Sequence, residues 1–335
     1  MSNKRFGCIG IALFLLLCLS GLVNLILIAG RSNKFTGGRV VSHELPEFGE
    51  TMVESASGAS TDKIALIGLR GLISSSVSGS LGETMVDDIK IALRQAVDDD
   101  RVKAIVLNID SPGGEVTASD VIYNAVKNAR AKKPVVIYMG SLAASGGYYI
   151  SCGGSWLIAN ETTLTGSIGV IMETVNYKDL MGKIGVSPVV FKSGKFKDMM
   201  SGSRDMTDEE KDYIQNMIKE TYGKFVKIVA DERKLPEQGL RDGIADGRVI
   251  SGKDALDDKL INQLGQIEDA FAKARELGNA PGAAVVRYQP GFKLGKLLQM
   301  LGQSEQSKIE INLAQKVLPP LESGRFYMLP SFYAQ

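Results

Sequence analysis

Short apolar strands alternate with amphipathic helices over most of the chain, and this alternation constrains the fold more than any other feature. Strands are predicted over 63–69, 102–109, 134–138, 156–159, 168–172, 187–192 and 283–288. Helices are predicted between them, over 85–96, 116–130, 178–184, 207–234 and 269–277, with two more that begin after Ser145 and at Ser251. Strands that are separated by helices pair in parallel through crossover connections. The pattern therefore predicts an α/β fold with a largely parallel sheet.

The N-terminus differs from the rest, because residues 7–30 contain no charged side chain. As a helix this stretch spans about 36 Å, against about 30 Å of hydrocarbon in a bilayer. It predicts an uncleaved transmembrane anchor with the N-terminus in the cytoplasm and the large domain outside; a cleaved signal peptide is the open alternative. Residues 31–60 lack periodicity and are predicted to be a linker, 61–290 the folded domain, and 291–335 a C-terminal extension.

Composition excludes several classes of function. A net charge of +1 gives no electrostatic basis for binding nucleic acid. The single histidine, His43, lies in the predicted linker, which argues against a Ser-His-Asp site. Cys152 is the only cysteine outside the apolar stretch, so we interpret it as a small buried hydrophobic residue and predict neither a Cys/His metal site nor a cofactor.

Ser145 lies in a turn of small residues, Ala144-Ser145-Gly146-Gly147, between a predicted strand and a predicted helix. Such a junction presents one side chain at a helix N-terminus, where free N–H groups favour negative charge. Taken alone, this is also what an ordinary Ser/Gly turn looks like. Ser145 is thus a candidate nucleophile with no bulky neighbour in the sequence.

Two more stretches supply groups that a serine nucleophile needs. Gly113 and Gly114 form a turn before a helix, and without Cβ atoms their N–H groups can approach an oxyanion closely. With histidine excluded, the base can be a lysine, as in Ser-Lys variants of the catalytic triad. The lysine must be neutral to accept a proton, which favours an apolar or glycine-rich segment. One such segment holds three candidates, Lys192, Lys195 and Lys197.

Four motifs together resemble those of the SppA-type signal peptide peptidases, serine proteases of family S49 with the ClpP/crotonase fold. They are Asp110-Ser-Pro-Gly-Gly114, Ser145-Gly-Gly-Tyr-Tyr149, Thr165-Gly-Ser-Ile-Gly169 and Ser193-Gly-Lys-Phe-Lys197. Their order and spacing over residues 60–280, and the one-domain length, are similar to the short, membrane-anchored bacterial form.

The resemblance implies a role for each matching residue. Ser145 matches the nucleophile and Lys197 the general base. Gly113 matches the oxyanion-hole glycine, beside Gly114, with Gly146 N–H as second donor, while Ser167 is placed to orient the lysine. It also implies a ring-like homo-oligomer, in which neighbouring subunits can supply serine and lysine. The expected substrates are cleaved signal peptides and other short apolar peptides.

Two other classes of function stay open from the sequence. One is an acyl-CoA-processing enzyme of the same fold, although no convincing carboxylate pair follows the Gly-Gly turn. The other is a non-catalytic membrane scaffold, although both Ser145 and Lys197 are present. The extended, apolar stretch 325–332 suggests a further hypothesis, that the tail occupies the active-site groove or is trimmed there.

Overall fold

The computed structural model of the protein describes residues 20, 48–75, 85–290 and 326–330. Apart from Ser20, they lie in one compact unit that begins at Pro46. The predicted anchor over 7–30 falls, except for Ser20, outside the described residues. Within the residues that are described, no helix has the length and apolar character needed to cross a membrane.

A twisted, mostly parallel sheet forms the centre of this unit. Its strands are β1 (Phe48–Glu54), β2 (Lys63–Arg70), β3 (Val102–Ser111), β5 (Val135–Ala143), β6 (Trp156–Ala159), β9 (Gln263–Leu264) and β10 (Ala284–Pro290). The order is β1-β10-β2-β3-β5-β6-β9, and all neighbours are parallel except β1 and β10. This confirms the predicted α/β class with a largely parallel sheet.

Smaller strands attach to the main sheet where the candidate site lies. They are β4 (Gly114–Glu115), β7 (Leu164–Gly166), β8 (Val249–Ser251) and β11 (Tyr327–Met328). β7 pairs with the end of β5 at Leu142 and with β8, while β11 pairs antiparallel with β4. Short paired strands therefore lie beyond the carboxyl ends of β3 and β5.

Helices cover both faces of the sheet, because strand side chains alternate between the faces. The helices are α1 (Met85–Asp98), α2 (Val116–Arg130), α3 (Gly146–Ser151), α4 (Lys178–Lys183), α5 (Asp208–Arg233), α6 (Glu237–Arg241), α7 (Gly252–Asp257) and α8 (Ile267–Leu277). Ile64 and Leu66 pack with Phe271 of α8, whereas Ala65 and Ile67 belong to the larger core shared with α1, α2 and α5.

The longest described helix, α5, begins directly after Thr207, and the residues Thr207-Asp-Glu-Glu210 have the spacing of a capping box. The Thr207 hydroxyl accepts a hydrogen bond from the Glu210 N–H at 3.2 Å, and the Glu210 carboxylate accepts one from the Thr207 N–H at 2.8 Å. This reciprocal capping box satisfies two N–H groups that a helix start leaves without partners.

Three local predictions need correction. The linker predicted over 31–60 is wrong from Phe48 onward, since Phe48–Glu54 forms β1 at the edge of the sheet. Only Phe48 in this strand is buried, so its sequence carries little apolar pattern, and backbone pairing with β10 holds it. The strand predicted over 168–172 is reduced to an isolated bridge at Ile171, and 187–192 pairs with no strand among the described residues.

Candidate active site

Ser145 stands at the junction of β5 and α3 in a backbone conformation that few residues adopt. Its φ of 54° and ψ of −115° place it outside the helix as the N-cap of α3. The Ser145 N–H donates to the Gly166 carbonyl at 2.8 Å, which ties the junction to β7. Residues kept in such sparsely populated conformations concentrate at functional sites.

The Ser145 hydroxyl is buried and has no hydrogen-bond partner within the described part of the chain. The sequence predicted a hydroxyl unscreened by neighbours, and the structure instead encloses it completely. A buried hydroxyl without a partner loses free energy. A proton acceptor or a substrate group that bonded this hydroxyl would therefore stabilise the site.

Gly113 and Gly146 come together beside Ser145. A Cβ atom on Gly113 would lie 2.6 Å from the Gly146 nitrogen and 2.0 Å from the Met328 carbonyl oxygen. Gly113 also has a φ of 105°, which side chains rarely tolerate. Only glycine fits at this position, and it leaves room for a peptide carbonyl next to two backbone N–H groups.

Gly114 requires glycine for a different reason. A Cβ atom there would lie 1.9 Å from the Ile73 carbonyl oxygen, because β4 is sandwiched between Ile73 and β11. Gly114 therefore shapes the strand that borders the site, and its nitrogen lies 3.1 Å from the Cβ position of Gly146. Its role as an oxyanion donor stays a prediction.

Two serines that the sequence did not single out shape the glycine pair. The Gly113 N–H donates to the Ser111 hydroxyl at 3.1 Å, so an incoming oxyanion has to compete for that N–H. The Ser119 hydroxyl would be 2.5 Å from a Cβ on Gly146, and it donates to the Glu115 carbonyl at 2.9 Å. The Ser111 contact is local, two residues before Gly113 in the same turn, whereas the Ser119 contact arises from the packing of α2 against α3.

The C-terminal tail lies in the groove next to these glycines. Tyr327 exchanges two backbone hydrogen bonds with Ile171, both at 3.0 Å, while Met328 pairs with Gly114 on the other side. Both side chains are buried. The site thus accepts an extended backbone as an added strand on two sides, the arrangement by which sheets bind peptides. Tyr327 and Met328 therefore lie in this groove. That the tail occupies the active site, or is trimmed there, stays a prediction.

The backbone of Ser167 lies close to Ser145, and the predicted role of Ser167 in orienting the lysine stays a prediction. It directly follows Gly166, whose carbonyl binds the Ser145 N–H. Ser167 is buried, has a φ of 51°, and its N–H donates to the Arg248 carbonyl at 2.8 Å. Its hydroxyl is therefore carried by a well-fixed backbone next to Ser145.

Lys197 is not brought to Ser145 within one chain. It lies in the turn-rich segment 192–200, and its side chain is exposed. That side chain has no hydrogen-bond or ion-pair partner among the described residues. The other two candidate lysines are paired: Lys192 with Asp198 at 2.7 Å and Lys195 with Glu209. Both of these ammonium groups are thus engaged by a carboxylate of the same chain, whereas that of Lys197 is not.

Cys152 follows α3, and its position excludes it as a second nucleophile. The thiol is 1 % exposed, and burial raises its pKa to about 12. A thiol with so high a pKa is hardly ionised at neutral pH and is chemically inert. The sequence interpretation of a small buried hydrophobic residue is confirmed.

Two family models match the chain. The model of peptidase family S49 matches residues 127–280, and the Clp protease model matches residues 56–160. Together they span residues 56–280, which include the Ser145 junction, the Lys197 segment and all strands of the main sheet except β1 and β10.

Relatives from three kinds of organism are similar to the chain. A protein from Enterococcus faecium that is named as an SppA signal peptide peptidase is 34% identical over 86% of this chain and 85% of its own length. A protein from Methanocaldococcus jannaschii that is named as a protease is 44% identical over 57% of this chain, and this chain covers 61% of it. The chloroplastic serine protease SPPA of Arabidopsis thaliana is 31% identical over 70% of this chain and 35% of its own length.

The family matches indicate a serine peptidase, and the strained backbone at Ser145 and the close approach of Gly113 to Gly146 are consistent with that class. The chain therefore belongs to peptidase family S49 and is a serine peptidase.

Proposed function

We propose that the protein is a membrane-anchored endopeptidase that uses Ser145 and Lys197 to degrade cleaved signal peptides and other short apolar peptides. The observation that carries the proposal is the tail in the groove. An extended apolar segment, Tyr327-Met328-Leu329, is bound on both sides by backbone hydrogen bonds, and its Met328 carbonyl lies against Gly113 and Gly146. A peptide substrate bound in the same way would present a carbonyl carbon near Ser145.

The chemistry follows from the groups at this position. Neutral Lys197 accepts the proton of the Ser145 hydroxyl as the oxygen attacks the peptide carbonyl, and the Gly146 and Gly113 N–H groups stabilise the oxyanion. The ammonium of Lys197 returns the proton to the leaving amine. Water then attacks the acyl-enzyme, the lysine again accepts a proton, and the serine hydroxyl is regenerated.

Because Lys197 does not reach Ser145 within one chain, the proposal requires a second copy. The segment 175–191 supports a ring-like homo-oligomer, since it holds eight of the thirteen large hydrophobic residues that the described residues expose. They are Val175, Tyr177, Leu180, Ile184, Val186, Val189, Val190 and Phe191. We call this segment the apolar arm. Exposed apolar patches of this kind typically mark protein interfaces.

The localisation is part of the same proposal. An anchor over residues 7–30, with the peptidase domain on the extracytoplasmic side, would bring the groove close to the membrane in which cleaved signal peptides remain. Apolar peptides are also the class that the tail represents, because its groove residues bury aromatic and aliphatic side chains.

The test is hydrolysis of an apolar peptide by the full-length protein in detergent, compared with its Ser145→Ala and Lys197→Ala variants. We expect both variants to fall to background, while the matched control Lys195→Ala retains the parent rate. A fluorophosphonate that acylates serine should label the parent and not Ser145→Ala. Retention of the parent rate by Lys197→Ala would refute the assignment of the base.

A further inference from the structure

The segment that carries Lys197 has no helix or strand of its own to set the direction of the lysine. It is a series of turns, with the Lys197 N–H bound to the Gly194 carbonyl at 3.1 Å and the Met199 N–H to the Phe196 carbonyl at 3.0 Å. The Lys197 side chain itself is exposed. Where the amine points therefore depends on what holds the neighbours of Lys197.

Both neighbours are attached to α5. Phe196 stacks on Tyr213 with ring centroids 5.5 Å apart. On the other side, the Asp198 carboxylate binds Arg204 through two hydrogen bonds, from Nε at 3.0 Å and from Nη2 at 2.7 Å. Lys197 thus lies between two residues, Phe196 and Asp198, whose side chains are both held by contacts outside the turn.

Arg204 connects the Lys197 segment to the start of α5. The same guanidinium donates from Nη1 to Glu210 Oε2 at 2.9 Å and from Nη2 to Oε1. Glu210 is buried, and the capping box with Thr207 fixes it in the first turn of the helix. A planar guanidinium can hold two carboxylates at once in a defined geometry, which an ammonium cannot.

The charges of this cluster keep it intact at neutral pH. Hydrogen bonds from Arg204 lower the pKa of Glu210 to about 2 and, together with Lys192, hold that of Asp198 well below its usual range. Both carboxylates are therefore ionised throughout the range in which a lysine base would work. Lys192 and Arg204 balance their two negative charges.

We propose that Arg204 is a positioning residue for the general base: by binding Asp198 and Glu210 together, it holds the Lys197 segment against α5 so that the amine can reach Ser145. The inference rests on the proposed role of Lys197. Arg204 touches neither the groove nor the reacting atoms, so it acts on the rate of the chemical step and not on substrate binding.

The test compares steady-state peptide hydrolysis by the full-length protein and its Arg204→Ala variant. We expect kcat to fall about 100-fold, the cost of a misplaced catalytic group, with KM unchanged. Arg204→Lys should not recover the rate, since one ammonium cannot bridge both carboxylates. The matched control Lys211→Ala breaks an exposed ion pair with Asp208 on the same helix and should leave both constants unchanged.

A second comparison separates positioning from folding. Asp198→Asn leaves Arg204 and Glu210 paired, so it should keep the sedimentation coefficient of the parent protein while it still lowers kcat.

Two results would overturn the inference: an unchanged kcat in Arg204→Ala, or a fall in kcat that is accompanied by an equal rise in KM. If Lys197→Ala itself retains the parent rate, the proposed base fails and the role of Arg204 fails with it. An inactive Lys197→Ala beside a fully active Arg204→Ala refutes the positioning role alone.

Discussion

The two halves of the candidate site are built in opposite ways. Ser145 is enclosed by the sheet, with a strained backbone, glycines that no other residue can replace, and a groove already filled by a peptide strand. Lys197 lies on an exposed turn next to the apolar arm and contacts no partner among the described residues. The surroundings of Ser145 are built within one chain, whereas under the proposed mechanism Lys197 requires a surface of a second copy.

The contrast predicts that two inactive variants can restore each other. We expect Ser145→Ala and Lys197→Ala to be inactive alone, and to regain activity when they are co-expressed, because one supplies the serine and the other the lysine at a shared interface. The measurement is peptide hydrolysis by the co-purified mixture, with a Ser145→Ala, Lys197→Ala double variant in place of one partner as control. A mixture that stays at background would mean that both groups act within one chain.

A methyl group at Gly113 tests the serine half alone. Gly113→Ala places a Cβ where a bound carbonyl oxygen lies, so we expect kcat to fall by about 100- to 1,000-fold, the usual cost of losing an oxyanion contact. Gly58→Ala is the matched control, because Gly58 also has a positive φ, of 66°, but no atom lies within 4 Å of its Cβ position. Equal losses in the two variants would assign the effect to backbone strain.

A charge in the apolar arm tests the lysine half. Phe191 is 94% exposed, and Phe191→Asp should prevent association and lower activity in proportion to the oligomer lost. Sedimentation velocity in detergent, beside a peptidase assay, measures both. Val121→Asp, which alters an isolated exposed residue on α2, should assemble normally. An assembled and active Phe191→Asp protein would show that the arm is not the interface.

The smallest effect concerns stability around the serine half. Burial raises the pKa of the Glu232 carboxyl, but hydrogen bonds from Arg130, Tyr123 and Lys127 outweigh it and lower the pKa to about 2. A carboxyl with a lowered pKa stabilises the fold above its ordinary pKa near 4.5, and this contribution is lost as the pH falls towards 2.

Glu232→Gln should therefore lower the melting temperature at pH 7 by a few degrees, as expected for a loss of about 1 kcal/mol or less in a chain of this size. The difference from the parent should shrink as the pH approaches 2, with kcat at pH 7 unchanged. A melting temperature that differs equally at both ends of this range would show that packing, and not charge, is responsible.

The sequence predicted the features that depend on local patterns. Side-chain periodicity reveals alternating strands and helices, so the α/β class and the largely parallel sheet could be expected. The Thr207 capping box and the buried Cys152 likewise follow from residue type and spacing. The small-residue turn at Ser145 and the glycine turn at 113–114 were recognisable because only glycine tolerates such close backbone approaches.

Only the tertiary structure decided which of these features meet. β1 is held by backbone hydrogen bonds that its side-chain pattern does not indicate. Ser119 of α2 meets Gly146 of α3, and Arg204 joins two carboxylates, each six residues away in the chain, into one cluster. The burial of the Ser145 hydroxyl and the separation of Lys197 from it also lie beyond any local pattern. The physical reason is that periodicity records which face of an element is apolar, whereas a site depends on which elements pack together.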